Sequence, residues 1–289
     1  MKLYSCDRYN IPLPDGHKFP LAKYRMLRER LESDARFEIE PAPIADPAVI
    51  ASVHDPNYVA AFIDGRLNSQ TIRRIGFPWS EGLVARTLCS VGATLAATRA
   101  AIETGFGGAL AGGTHHAFRS DGAGFCVFND IAIAIKASGK RAAVIDLDVH
   151  QGDGTASIFG GDPSVFTLSL HGSHNFPFRK QTSTLDIGFP NGTEDEEYLA
   201  ALVRAIPLVV DFRPEIVFYQ SGVDGLRSDK LGLLALSPNG LLERDRVVFK
   251  AMKGIPVVTV LGGGYSQPID LTVDAHAATF RCAAGIFFP

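Results

Sequence analysis

The chain has 289 residues, 46% of them hydrophobic and 20% charged, with a formal net charge of −3, an ordinary balance for a globular enzyme. No basic patch stands out, which argues against tight phosphate-driven binding to nucleic acid, and no apolar run approaches the roughly 20 residues of a membrane span. Cys6, Cys89, Cys126 and Cys282 are far apart, and Met1–Ser5 lacks a signal peptide's apolar run, so a cytoplasmic protein with reduced thiols is expected rather than a zinc knuckle or a disulfide framework.

Along the chain, short apolar β-rich runs alternate with longer helical patterns, as in parallel strands joined by crossover helices. Strands are expected at Lys2–Cys6 and near Phe37–Glu40, with helices at Leu21–Glu32 and Glu81–Thr104. The strand Gly108–Ala111 runs into Gly112-Gly113-Thr114-His115-His116. Adjacent histidines cannot share a face on a regular strand, but in a loop opened by two glycines they can converge. Histidine suits proton transfer near neutral pH, although a lone pair is more often a surface or packing feature.

After a helix at Asn129–Ser138 comes the strand Ala142–Val149, which carries Asp146, Asp148 and His150 at alternating positions. On a strand these three share a face, at the sheet edge where open α/β folds bind ligands. A divalent cation would offset the cost of burying the carboxylates, and this ligand mix suits zinc, manganese or iron. A strand at Val165–Leu170 leads into His171–Gly192, which reads as a long functional loop. Thr193–Glu196 supplies a cap and acidic residues to the helix Asp195–Asp211.

The strand Glu215–Ser221 ends in a turn with Asp224. Alone, that residue is a turn former; with Asp148 and His150 it completes an open site of three protein ligands. Ser237-Pro238 starts the helix Asn239–Lys253. The strand Pro256–Leu261 leads to Gly262-Gly263-Gly264-Tyr265, which lacks the Lys-Ser/Thr of a phosphate loop. Tyr265 either packs or donates a hydrogen bond to a substrate oxygen. The helix Ile269–Phe287 closes the chain. With no repeat and no linker, residues 1–289 read as a single three-layer α/β/α domain around a central, mostly parallel sheet.

In order and spacing, Gly112–His116, Gly122–Asp130, Asp146–Gly154, Ser221–Asp224 and Leu261–Tyr265 resemble the motifs of the zinc-dependent histone deacetylase family, in the arginase-deacetylase group. The likeness covers nearly the whole chain. Asp224–Leu226, Asp229–Gly232, Ser237-Pro238 and Gly192–Tyr198 resemble its class IV branch.

The resemblance implies one zinc ion on Asp148, His150 and Asp224. It implies His116 as general base with Asp153 orienting it, and His115 as a more electrostatic histidine partnered by Asp146. Tyr265 would polarise the scissile carbonyl. Gly124 and Phe125 would form one wall of an acyl-lysine tunnel and Phe176 the other. The backbone of Asp146–His150, with Ser169 and Leu170, would hold potassium as a structural ion. The substrate implied is an acylated lysine peptide or protein, with long fatty acyl chains tolerated, or a small acylated amine such as an acetylpolyamine. The loop before Trp79 offers no match for the family's rim aspartate. An arginase-like dimanganese enzyme would need more aspartates in these motifs, and a catalytically dead acyl-lysine reader would not need the full set.

Overall fold

A computed structural model describes residues 1–289. In chain order the elements are β1 (Lys2–Ser5), α1 (Ala22–Glu32), β2 (Glu38–Pro41), α2 (Pro47–Ile50), α3 (Pro56–Ile63), α4 (Ser69–Ile75), α5 (Glu81–Thr104) and β3 (Phe106–Ala109). There follow α6 (Asp130–Ser138), β4 (Ala142–Asp146), α7 (Asp153–Phe159), β5 (Val165–Gly172), β6 (Leu185–Phe189), α8 (Asp195–Asp211), β7 (Ile216–Gln220), α9 (Pro238–Ala251), β8 (Val257–Val260) and α10 (Asp270–Phe287).

The strands form one sheet in the order β2-β1-β3-β8-β7-β4-β5-β6, and every pairing is parallel. The inner strands β3, β4, β7 and β8 are buried along their whole length, as expected of strands covered by helices on both faces. β3, β8, β7 and β4 are neighbours, and the four polar motifs follow their C-terminal ends. The topology thus gathers residues 112–116, 262–265, 221–224 and 147–150 at one edge.

The helix starts are chemically specified. The Asn129 side chain accepts the Ala132 N–H at 2.9 Å and starts α6, and the Ser237 hydroxyl accepts the Gly240 N–H at 3.0 Å and starts α9. The cap expected for α8 is not made. Thr193 donates its hydroxyl to the Pro190 carbonyl at 3.0 Å instead, and Glu194 at the cap position makes no side-chain capping bond, its carboxylate accepting from Arg227.

Two further expectations need correction. β4 stops at Asp146, so residues 147–150 lie beyond the strand, and Asp146, Asp148 and His150 do not share a strand face. The segment 171–192 is not one loop: β5 runs on to Gly172, and β6 adds an edge strand on it.

Candidate active site

The loop after β3 turns on Gly112 and Gly113, at φ of 79° and 74°, a region open to glycine at little strain. The buried Asp130 carboxylate, at the start of α6, fixes that loop. It accepts the backbone N–H of Gly113 at 3.0 Å and of Thr114 at 2.8 Å, and the hydroxyls of Thr94 and Thr114 at 2.6 Å each. The rings of His115 and His116 consequently stand 4.1 Å apart.

Each histidine has its own carboxylate. His115 Nδ1 lies 2.8 Å from Asp146 Oδ2, and His116 Nδ1 lies 2.6 Å from Asp153 Oδ1. The two environments differ. Burial opposes charge on His115, but Asp146 and Asp148 overcome it and hold its pKa up to about 9. Burial and the neighbouring His115 push His116 down to about 4, despite Asp153. One ring is therefore cationic and the next neutral at pH 7, a division typical of sites that separate electrostatic and proton-transfer roles.

Asp148, His150 and Asp224 bring ligand atoms within 4.8 Å of one another. His150 Nδ1 is 3.0 Å from Asp148 Oδ1 and 3.1 Å from Asp224 Oδ2. Burial and the adjacent Asp148 raise the Asp224 pKa. Two carboxylates converging in a buried site around one imidazole fit a cation. Asp146 stands outside this set, spent on His115.

The Gly262–Gly264 loop is tied to the triad. The Gly263 N–H donates to Asp148 Oδ2 at 2.6 Å, and a Cβ at Gly263 would fall 1.8 Å from Asp224 Oδ2. Asp229 accepts the Tyr265 N–H at 2.6 Å and the N–H groups of Leu231 and Gly232. Burial raises the Tyr265 pKa, so its hydroxyl keeps its proton. Lys23, buried on α1, donates to the carbonyls of Gly262 and Gly264 at 3.3 and 3.4 Å, with its Nζ 5.2 Å from the Tyr265 ring centroid.

One cavity of about 480 Å³ is lined by both histidines, the triad and Tyr265, together with Gly124, Phe125 and Phe176. Phe176 packs edge-on to His116, with ring centroids 4.8 Å apart. Phe125 belongs to an aromatic cluster with His17, Phe19 and Phe77. At the mouth, Phe178 is 89% exposed. All eleven residues singled out from the sequence thus meet in or beside one site. Asp130, Asp229 and Lys23 were missed, although Asn129-Asp130 and Asp229–Gly232 lay within segments already noted.

An eight-stranded parallel sheet flanked by helices is the arginase-deacetylase α/β fold. The HDA15 HD domain superposes with a TM-score of 0.81 at 20% identity, covering 99% of this chain and 90% of that one. An acetylpolyamine aminohydrolase from Burkholderia pseudomallei gives 0.79 at 21%, covering 99% of both. At such identities these likenesses show the fold alone. Residues 17–280 match the histone deacetylase domain, and the chain belongs to the histone deacetylase family of hydrolases. Histone deacetylase 2 of Arabidopsis thaliana is 32% identical over 87% of this chain and 70% of its own length. An uncharacterized protein of Picosynechococcus is 43% identical over 96% of this chain and 97% of its own. No helix is long and apolar enough to cross a membrane.

Proposed function

We propose that residues 1–289 form a single zinc-dependent deacylase domain that hydrolyses the side-chain amide of acyl-lysine in peptides or proteins. The observation that carries this reading is the His116–Asp153 pair beside a cation-fit triad in one cavity. Asp148, His150 and Asp224 would hold zinc, whose Lewis acidity when bound lowers the pKa of water and polarises a carbonyl.

The remaining roles belong to the chain's own groups. His116 donates Nδ1–H to Asp153, which leaves Nε2 with a lone pair to take a proton from the attacking water. The same nitrogen then returns that proton to the departing amine. His115, held cationic by Asp146, adds positive charge close to Asp148: its Nε2 is 3.9 Å from that residue's Oδ1. Tyr265 keeps its proton and donates a hydrogen bond to the oxygen on which negative charge develops. Gly124, Phe125 and Phe176 would enclose the aliphatic lysine stem and exclude water.

Cavity chemistry favours acyl-lysine over an acetylated polyamine. Among the lining residues the only carboxylates are Asp148 and Asp224, both in the triad, so a polyamine's distal ammonium would find no counter-charge inside. Beyond the triad the cavity continues to Leu83 and Val91 on α5, which supports acyl groups longer than acetyl. Each buried methylene would contribute up to about 0.8 kcal/mol. A potassium ion under the triad is also proposed, since the carbonyls of Asp148 and His150 accept no backbone hydrogen bond.

The test is a panel of one acyl-lysine peptide series and acetylated polyamines, assayed with the zinc-loaded protein. Peptide turnover above polyamine turnover is expected. Polyamine turnover with inert peptides would reject the reading.

A further inference from the structure

The wall of the cavity on α5 carries polar groups that these roles do not use. Leu83, Arg86, Thr87, Ser90 and Val91 recur along one face of α5 and line the cavity. Leu83, Arg86 and Val91 are buried and Thr87 and Ser90 half-buried, against the exposed Phe178 at the mouth, which marks this as the inner end. The stripe is apolar at both ends and cationic between them.

Arg86 is 6% exposed. Its Nη1 donates to the Cys6 carbonyl at 3.0 Å, and its Cζ lies 4.2 Å from the Tyr24 ring centroid. No carboxylate pairs with it. A guanidinium has five N–H donors in a fixed fork, and burying one without a counter-ion carries a large desolvation penalty. Lys23, its Nζ 5.3 Å from the same Tyr24 ring, does not line the cavity and donates to the Gly262 and Gly264 carbonyls. Arg86 therefore leaves positive charge in excess at the inner end, and the cavity is the open side from which an anion can meet it. A neutral acyl chain would dehydrate Arg86 further and return nothing. A carboxylate would engage the fork in charge-assisted bonds.

We propose that this end recognises a carboxylate at the tip of the acyl group, so that the substrates are lysines bearing short ω-carboxyacyl chains of the succinyl or glutaryl type. Arg86 binds the terminal carboxylate, and the hydroxyls of Thr87 and Ser90 complete its partners. The inference rests on the deacylase reading above and narrows its substrate. In the reaction the amide C–N bond breaks, water oxygen bonds to the acyl carbon, and the protons released leave on the lysine amine. The products are a dicarboxylate and free lysine, and no oxidant or reductant is needed.

The experiment measures kcat/KM of zinc-loaded wild-type protein on one peptide carrying acetyl-, butyryl-, pentanoyl-, succinyl- or glutaryl-lysine. At one length at least, the carboxyacyl form should exceed its neutral counterpart by about tenfold or more, the scale of one good charge-assisted bond. R86M should reverse that ratio, and R86K should keep part of it. Calorimetric titration with free glutarate and pentanoate adds a readout independent of turnover, with the glutarate preference lost in R86M. If R86M does not fold, the wild-type ratios and titrations decide alone. Hydrolysis of neutral acyl-lysines with no carboxyacyl preference at either length would overturn the inference and leave the deacylase reading intact. No turnover of any acyl-lysine would end both.

Discussion

The two ends of the cavity carry opposite charge imbalances. At the strand ends, Asp148 and Asp224 outnumber His150, while the nearby histidines each have a carboxylate of their own. On α5, Arg86 has no carboxylate at all. Buried charge persists only where something offsets it. The first end is therefore built around a cation and the second is open to an anion. The construction differs too. The strand-end site is made of loops pinned by Asp130 and Asp229, whereas the inner wall is a plain helix face.

Mutations separate the two ends. The largest effect is expected from H116A, which removes the proton carrier; turnover should fall by at least the roughly hundredfold predicted for loss of one oxyanion donor. Y265F removes only that donor, so turnover should drop by about a hundredfold with folding and metal content retained. Near wild-type activity in either variant would show that the role is misassigned. G263A brings a methyl group against Asp224 and should weaken metal retention in a chelator challenge without unfolding the chain. Unchanged retention would separate the glycine loop from the triad.

The smallest effect lies away from both ends. His54 Nε2 accepts the Asn129 N–H at 2.9 Å, and burial pushes its pKa down to about 4, against about 6.5 in an unfolded chain. Between those values the unfolded state binds more protons, so the His54 contribution is fully present above about pH 6.5 and is lost as pH falls toward 4. Urea midpoints at pH 7 and pH 5 should differ less in H54Q than in wild type. An equal difference would remove His54 as a source of the pH dependence.

Much of this was legible in the sequence, for physical reasons. The bounds of α5 and α8 read correctly because long periodic segments with clear ends admit few alternatives. The strand-end motifs read correctly because polar residues follow fully apolar runs. β6 was hidden: it is a short edge strand whose exposure alternates, set between glycines, prolines and serines. Asp146 was grouped with Asp148 because strict alternation was extended beyond the end of β4. Asp153, by contrast, came from family likeness, since no spacing rule pairs it with His116 across 37 positions. Arg86 carried no signal at all, because a charged residue on a helix usually marks the solvent face.

The central claim is that Asp148, His150 and Asp224 hold a single divalent ion on which turnover depends. Metal analysis of the purified protein and of D148N tests it most directly, with turnover measured on the same samples. The account predicts close to one divalent ion per chain in the wild type, and a sharp loss of both metal and activity in D148N. Two tightly held ions, or unchanged occupancy in the variant, would contradict it.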